Sequence, residues 1–131
     1  MSYPGRWTVF EEEDGTYLFM DNDNWSGNLR ITPMKFEGPD KARQNEKVKG
    51  FIREELETNK GSKLVKLGDL DTAHYVTDGQ QGNMTIYYWV TGDKSTLLIC
   101  TFSVDTDRLN EETVVKELND GIESLQSIRI N

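Results

Sequence analysis

Oxygen-bearing side chains crowd the segment 20–29, MDNDNWSGNL, and such side chains are the ligands that hard cations prefer. An EF-hand calcium loop requires oxygen ligands at its first, third and fifth positions, glycine at the sixth and a carboxylate at the twelfth. Counting from Asp21, the last three of these places hold Trp25, Ser26 and Thr32, so the pattern fails. Asp, Asn, Ser and Gly are also the usual residues of turns, because their side chains bond to nearby backbone. We therefore predict a turn here and no metal site.

Histidine and cysteine are scarce in this chain. One histidine and one cysteine are too few for a structural zinc site, an internal disulfide or a catalytic histidine pair. His74 lies in the strand-like segment TAHYV, where a lone histidine is usually a hydrogen-bonded structural residue. Cys100 lies in the apolar segment TLLICTF, where burial would raise its pKa and leave the thiol unreactive. We predict no catalytic residue and no cofactor; the alternative is a small hydrolase or ligand-binding domain with a cleft around His74.

Turn chemistry explains every residue of the segment 20–29 except Trp25. A tryptophan in so polar a setting either folds back over the sheet edge or stays partly exposed as an interface anchor. An acidic run, residues 11–14, lies close to the same predicted hairpin and either blunts an edge strand or steers a basic partner. The residues that we predict to bind a protein partner are Trp25, Glu11, Glu12, Glu13, Asp14, Asp21 and Asp23.

Length and charge limit the class of protein. A chain of 131 residues can bury one core, so we predict a single domain over residues 1–131. Acidic residues outnumber basic ones by 23 to 15, and the net charge of −8 repels phosphate backbones, so we predict no nucleic-acid partner. The sequence lacks the run of about 18 apolar residues that spans a membrane, and it does not start like a secretory signal. We expect a soluble cytoplasmic chain with no membrane insertion.

Alternating apolar residues predict seven strands that would position these side chains. WTVFE, TYLFM and GNLRITPMKF come first; Asp14 and Gly15 mark a hairpin turn, and Pro33 indicates an edge position or a strand end. Four more strands follow, KLVKLG, LDTAHYV, NMTIYYWV and STLLICTFSV, with the hairpin loops DGQQG and TGDKS between the last three. The last strand is apolar at consecutive positions, which is typical of a central strand covered on both faces.

Helical spacing appears twice. From Asp40 to about Asn59 the apolar residues recur every three or four positions, and we expect Gly50 to permit close packing against a sheet. A second helix closes the chain, with Asn110 as its N-cap. Its predicted apolar residues are Val114, Val115, Leu118, Ile122 and Leu125.

The order of three strands, helix, four strands and helix predicts an α+β protein, an antiparallel sheet of about six to seven strands flanked by two main helices. The opening PGRW, the strand GNLRITPMKF before a long helix, the segment KLGDLDTAHYV and the final SLQSIRI together resemble the PsbP-like fold group, above all its small bacterial members. The resemblance implies an α/β/α sandwich that binds or chaperones proteins and has no catalytic motif. We therefore predict a non-catalytic protein-binding or chaperone-like module with a protein partner.

Overall fold

An antiparallel sheet forms the middle layer of the computed structural model, which describes residues 1–79 and 82–130. The strands are β1 Thr8–Glu11, β2 Tyr17–Met20, β3 Asn28–Lys35, β4 Lys63–Leu67, β5 Leu70–Asp78, β6 Met84–Asp93 and β7 Thr96–Asp105. The helices are α1 Lys41–Thr58 and α2 Glu112–Gln126, and a short 3₁₀ helix, Thr106–Arg108, precedes α2. In the described residues the seven strands lie in the order β1-β2-β3-β7-β6-β5-β4.

The predicted α+β class and element order are confirmed by this topology. Each hydrogen-bonded pair of strands is antiparallel. Gln80 and Gln81 of the predicted DGQQG loop lie outside the described residues. Among residues 1–79 and 82–130, none of the helices has the length and apolar character needed to cross a membrane.

Strand β7 lies at the centre of the sheet, as its apolar run predicted. Side chains alternate between the two faces of a strand. Leu97 and Ile99 pack in the core under α1, while Leu98, Cys100 and Phe102 pack in the core under α2. The two helices therefore cover opposite faces, which is the predicted α/β/α sandwich. Complete burial raises the pKa of the Cys100 thiol to about 12.

Helix α1 begins where the sequence predicted. Asp40 is its N-cap, and Oδ1 of Asp40 accepts a hydrogen bond from the backbone N–H of Arg43 at 3.1 Å. Val48 and Ile52 are buried against the sheet. The reason we expected for Gly50 is wrong: a Cβ atom at this position would meet no atom within 4 Å. Gly50 therefore lowers the stability of α1 without permitting a close contact that a larger residue would prevent.

Helix α2 begins one residue later than predicted. With Asn110 as its N-cap it would begin at Glu111, but it begins at Glu112. Its N-cap is Glu111, whose side chain makes no capping hydrogen bond, so the predicted Asn110 cap is wrong. The backbone N–H of Glu111 donates to the carbonyl oxygen of Arg108, the last residue of the 3₁₀ helix, at 3.0 Å. Val114 and Leu125 are buried, whereas Val115 is 45% exposed. Adjacent residues on a helix point about 100° apart, so Val114 and Val115 do not share one face.

Pro33 lies in β3, an inner strand, but at a point where β3 has only one neighbour. β2 pairs with β3 as far as Ile31, which lies opposite Tyr17. Beyond that point the N–H of Phe36 donates to the carbonyl oxygen of Ser95 on the β7 side, at 2.8 Å. Alternate residues direct their N–H groups to the same neighbour, so the ring nitrogen of Pro33 faces the unpaired side. The predicted edge environment exists there because β2 is short.

Candidate binding surfaces

The side chain of Asp21 holds the loop between β2 and β3. Its Oδ1 accepts hydrogen bonds from the backbone N–H groups of Asp23 and Asn24, both at 3.1 Å. Asp21 is 9% exposed, and its Oδ2 lies 3.9 Å from Nε of Arg6. These contacts support the turn interpretation. In the described part of the chain, no three His, Cys, Asp or Glu residues are grouped so as to hold a metal ion. The side chain of Asp21 is therefore already engaged in contacts within the protein, whereas Asp23 is exposed.

Trp25 combines both behaviours that the sequence left open. Its indole N–H donates to Oδ1 of Asn28 at 2.7 Å, so the ring folds back onto the start of β3. The guanidinium of Arg108 lies 5.4 Å from the ring centroid and also donates to the carbonyl oxygen of Trp25 at 3.0 Å. The side chain nonetheless stays partly exposed. Trp25 is a fixed aromatic residue at the surface and not a core residue.

Residues 11–14, the acidic turn, comprise the last residue of β1 and the start of its connection to β2, and they are exposed. The N–H of Glu12 donates to the carbonyl oxygen of Thr16 at 2.8 Å. Oδ1 of Asp14 accepts from the backbone N–H of Thr16 at 3.0 Å, and this hydrogen bond lowers the pKa of Asp14. Glu12 pairs with Arg30 at 3.1 Å. The other two glutamates of the turn make no ion pair within the described residues, so their charge faces solvent.

The predicted binding residues divide between opposite ends of the first hairpin. Thr8 pairs with Met20 and Glu11 pairs with Tyr17, so the loop of residues 21–25 follows one end and the acidic turn occupies the other. Strands rise by about 3.3 Å per residue, so the four steps from Tyr17, which is level with Glu11, to Asp21 place about 13 Å or more between the two groups. Trp25 and the acidic turn therefore do not form one contiguous patch.

A partly exposed sheet surface joins these two ends. Helix α1 packs against β5, β6 and β7. On the same side of β1, β2 and β3, register and alternation place Phe10, Leu18, Arg30, Thr32 and Met34. We call these five residues the open face. Phe10 is 41% exposed and Met34 is 43% exposed.

Both groups of predicted residues border the open face. Asn28, which accepts the indole N–H of Trp25, points to the same side of β3 as Arg30. At the other end, Arg30 is the partner of Glu12. The open face itself was missed by sequence reasoning, because nothing in one sequence tells which strands a helix will leave uncovered.

His74 is held as a structural residue. Its Nδ1 lies 2.8 Å from the carbonyl oxygen of Tyr88, and its ring stacks on Trp89 with centroids 4.9 Å apart. Within the described residues, the side chain of His74 makes no hydrogen bond or ion pair to a carboxylate. A general base is normally oriented by such a partner. This geometry supports the structural role that the sequence favoured.

A buried polar cluster ties the N-terminal segment to α2. Glu117 is 5% exposed; its Oε2 accepts from the indole N–H of Trp7 at 2.8 Å, and its Oε1 accepts from Nε of Arg6 at 3.0 Å. Arg6 also pairs with Asp120. Hydrogen bonds to Glu117 and then to Asp120 raise the pKa of Arg6. Sequence reasoning missed this cluster; the available signal was a glutamate three residues after Val114, on the apolar side of the predicted helix.

Comparison with protein families identifies the relatives of this fold. Residues 1–129 match the family described as domain of unknown function (DUF3805). The chain belongs to the DUF3805 family. No curated protein matches it significantly.

Solved structures resemble this DUF3805 chain to different degrees. A protein of Bacteroides thetaiotaomicron VPI-5482 is 32% identical and has a TM-score of 0.64; the match covers 81% of the DUF3805 chain and 38% of the Bacteroides chain. LpqN of Mycobacterium tuberculosis, involved in cell envelope biogenesis, is 14% identical with a TM-score of 0.48, over 94% of this chain and 79% of its own. PsbP (CyanoP) of Synechocystis sp. PCC 6803 is 16% identical with a TM-score of 0.38, over 93% and 81%. The last of these matches is a PsbP protein, the protein for which the fold group in the sequence analysis is named.

Proposed function

We propose that this DUF3805 protein is a non-catalytic module that binds a basic protein partner through the open face. The observation that carries the proposal is the exposure of Phe10 and Met34, 41% and 43%, on the side of β1, β2 and β3 that α1 leaves uncovered. Apolar side chains gathered on one exposed surface and rimmed by polar residues are typical of interaction sites.

The two borders of the open face would act differently. Trp25 is fixed by Asn28 and Arg108, so a partner that covers it orders little that is not already ordered. Tryptophan and arginine are also the side chains most often found as interface anchors. The acidic turn would instead attract a basic partner at long range, because its carboxylates face solvent and the whole chain carries a net charge of −8.

The surroundings of His74 and Cys100 support a binding role over a catalytic one. His74 is engaged by backbone and by Trp89, and Cys100 is buried with a raised pKa. The net charge of −8 opposes nucleic acid as the partner. We propose that the module acts as one domain, residues 1–131, in the cytoplasm of a bacterial cell. If the full protein is longer, as the 38% coverage of the Bacteroides chain allows, the domain would bind as part of it.

The partner would first be identified by affinity capture from the native cell. It would then be purified for binding measurements. Association should be measured for the natural chain and for the double variant Phe10→Ser/Met34→Ser. Loss of two interface side chains should weaken binding by about tenfold or more. The matched control is Val76→Ser, which removes a side chain that is 49% exposed on the other side of the sheet. It should leave affinity unchanged.

The effect of the acidic turn on the association rate provides a second measurement. The variant Glu11→Gln/Glu13→Gln should lower the association rate and flatten its dependence on salt, while the dissociation rate changes little. At physiological ionic strength the field reaches only about 8 Å, so added salt should slow association of the natural chain. A partner that binds Phe10→Ser/Met34→Ser and the natural chain equally well would show that the open face is not the binding surface.

A further inference from the structure

The two outermost of the described strands, β1 and β4, carry charges of opposite sign. Residues 8–14, which contain β1 and the acidic turn, include four acidic residues and no basic one. Residues 59–68, which contain β4, include three lysines, Lys60, Lys63 and Lys66, and no acidic residue. In the whole chain, acidic residues outnumber basic ones by 23 to 15. β4 is therefore a basic edge on an acidic protein.

Both edges are open to solvent. The four residues of β1 are all exposed, and Val9 is exposed by 37%. At the other edge of the sheet, Leu64 is 61% exposed, and the side chains of Lys60 and Lys63 are exposed as well. An edge strand carries a row of backbone N–H and C=O groups that have no partner in its own sheet. Each edge can therefore accept a further strand.

The first hairpin determines which backbone groups of β1 point outward. The N–H of Glu12 donates to the carbonyl oxygen of Thr16 at 2.8 Å, so the backbone groups of Glu12 point toward β2. Because this direction alternates along a strand, Phe10 also points its backbone groups toward β2, whereas Val9 and Glu11 point theirs away. The N–H and C=O groups of Val9 and Glu11 are therefore the ones offered to a neighbouring strand.

The charges favour the pairing of one edge with the other over the pairing of an edge with itself. Charged side chains on an edge strand oppose edge-to-edge association. Two copies of β1 would gather acidic residues at one interface, and two copies of β4 would gather lysines. A contact between β1 and β4 instead brings charges of opposite sign together. The protection that these side chains give against self-pairing of each edge thus does not extend to this combination.

The positions of the charges also favour one direction of pairing. The acidic turn follows β1, whereas Lys60 precedes β4. In an antiparallel pair, the acidic turn lies beside residues 60–63. In a parallel pair, it lies beside the turn after β4, which contains the exposed Asp69. Opposite charges on neighbouring strands stabilise a pair and like charges destabilise it, so the antiparallel direction is favoured.

We propose that β1 of one molecule pairs antiparallel with β4 of a second copy of the same chain. The outward backbone groups of Val9 and Glu11 form the hydrogen bonds, and the acidic turn lies against Lys60 and Lys63. The contact joins two different surfaces, so every pair of molecules keeps one free β1 and one free β4, and assembly continues head to tail. Strands of four and five residues form a small interface, so the Kd should be about 10 µM to 1 mM.

Sedimentation velocity at protein concentrations up to about 1 mM tests this contact. The average sedimentation coefficient of the natural chain should rise with concentration. Glu11→Lys/Glu13→Lys and Lys60→Glu/Lys63→Glu should each weaken self-association about tenfold or more, because each replaces attraction with repulsion. An equimolar mixture of the two variants should associate again, because the reversed edge of each variant complements the reversed edge of the other.

Each charge variant has a matched control that changes the net charge by the same amount at exposed positions on the helices. The control for the acidic turn is Glu46→Lys/Glu123→Lys, and the control for β4 is Lys41→Glu/Lys47→Glu. Both controls should associate as the natural chain does.

The variant Val9→Pro keeps every charge but removes an outward N–H of β1. Proline is tolerated on edge strands when its nitrogen faces solvent, so circular dichroism should show a folded protein. Self-association should be weakened by about tenfold. Undiminished association of folded Val9→Pro would show that the contact is not strand pairing.

Three results of the charge experiment would overturn the proposal. They are a natural chain that stays monomeric at about 1 mM, a mixture of the two charge variants that fails to associate, and controls that lose association as the charge variants do. Self-association and the proposed binding of a basic partner can fail independently. Met34→Ser should leave self-association unchanged, and Lys60→Glu/Lys63→Glu should not weaken binding of the basic partner to the open face.

Discussion

Removal of the Glu117 carboxylate should destabilise the fold substantially. In the variant Glu117→Ala, the indole N–H of Trp7 loses its acceptor at 2.8 Å while remaining buried. A buried donor without a partner costs about 1 to 3 kcal/mol. Arg6 keeps Asp120 as a partner and its side chain is 33% exposed, so the lost ion pair adds at most about 1 kcal/mol. The free energy of unfolding should therefore fall by about 2 to 4 kcal/mol.

Urea denaturation followed by tryptophan fluorescence and by circular dichroism measures this change. The midpoint should decrease with an unchanged m-value, because the folded state stays compact. The matched control is Glu123→Ala on the same helix, where the glutamate is exposed. A surface substitution of this kind should change stability by no more than about 0.5 kcal/mol.

Equal stabilities for Glu117→Ala and Glu123→Ala would refute the reasoning. They would mean that the contact between residues 1–7 and α2 contributes nothing to the folded state. A loss limited to the fluorescence signal, with the circular dichroism transition unchanged, would mean that the N-terminal segment detaches without loosening the sheet. In that case, the cluster is a local clamp and not part of the cooperative fold.

Four further expectations follow from particular contacts. Gly50→Ala should raise the free energy of unfolding by up to about 1 kcal/mol in denaturation, because the added methyl meets no atom within 4 Å. Cys100, with its pKa raised to about 12 by burial, should stay unmodified by a thiol reagent at pH 9 in the folded protein and react rapidly in denaturant. Millimolar calcium should leave the thermal midpoint unchanged, because Asp21 already accepts two backbone N–H groups; a rise abolished by Asp21→Asn would contradict this. Trp25→Ala should lower stability by only about 1 to 2 kcal/mol in the same denaturation assay, since the indole is partly exposed.

Local patterns were enough to predict the secondary structure. The consecutive apolar residues of β7 and the helical spacing after Asp40 are properties of a few neighbouring residues, so they can be recognised in one sequence. Helix boundaries were less predictable: Asn110 has a better capping side chain than Glu111, yet Glu111 is the N-cap of α2. Gly50 was misread for a related reason, because its surroundings depend on how α1 is rotated over the sheet.

Contacts distant in sequence were not predictable. Trp7 and Glu117 are 110 residues apart, and no local pattern joins them. Nearness in sequence did not imply nearness in space either: Trp25 and the acidic turn are separated by the length of β2. In both cases a local pattern does not show where whole strands and helices lie in space, because their positions depend on pairing and packing across the entire sheet.

Unequal strand and helix lengths account for the open face and for a cleft on the opposite side of the sheet, which is lined by Phe19, Ile31 and Leu98. β1 and β2 have four residues each, whereas β3 has eight and β7 has ten. The short β2 leaves the outer part of β3 unpaired, and this opens the cleft on the side of α2. On the other side, α1 packs against β5, β6 and β7, and this leaves the open face over β1, β2 and β3. Because side chains on the two faces of a strand alternate, substitutions at Phe10 or Met34 change one surface and substitutions at Lys35 change the other. The open face and the cleft can therefore be altered separately by mutation, although both are built on the same strands.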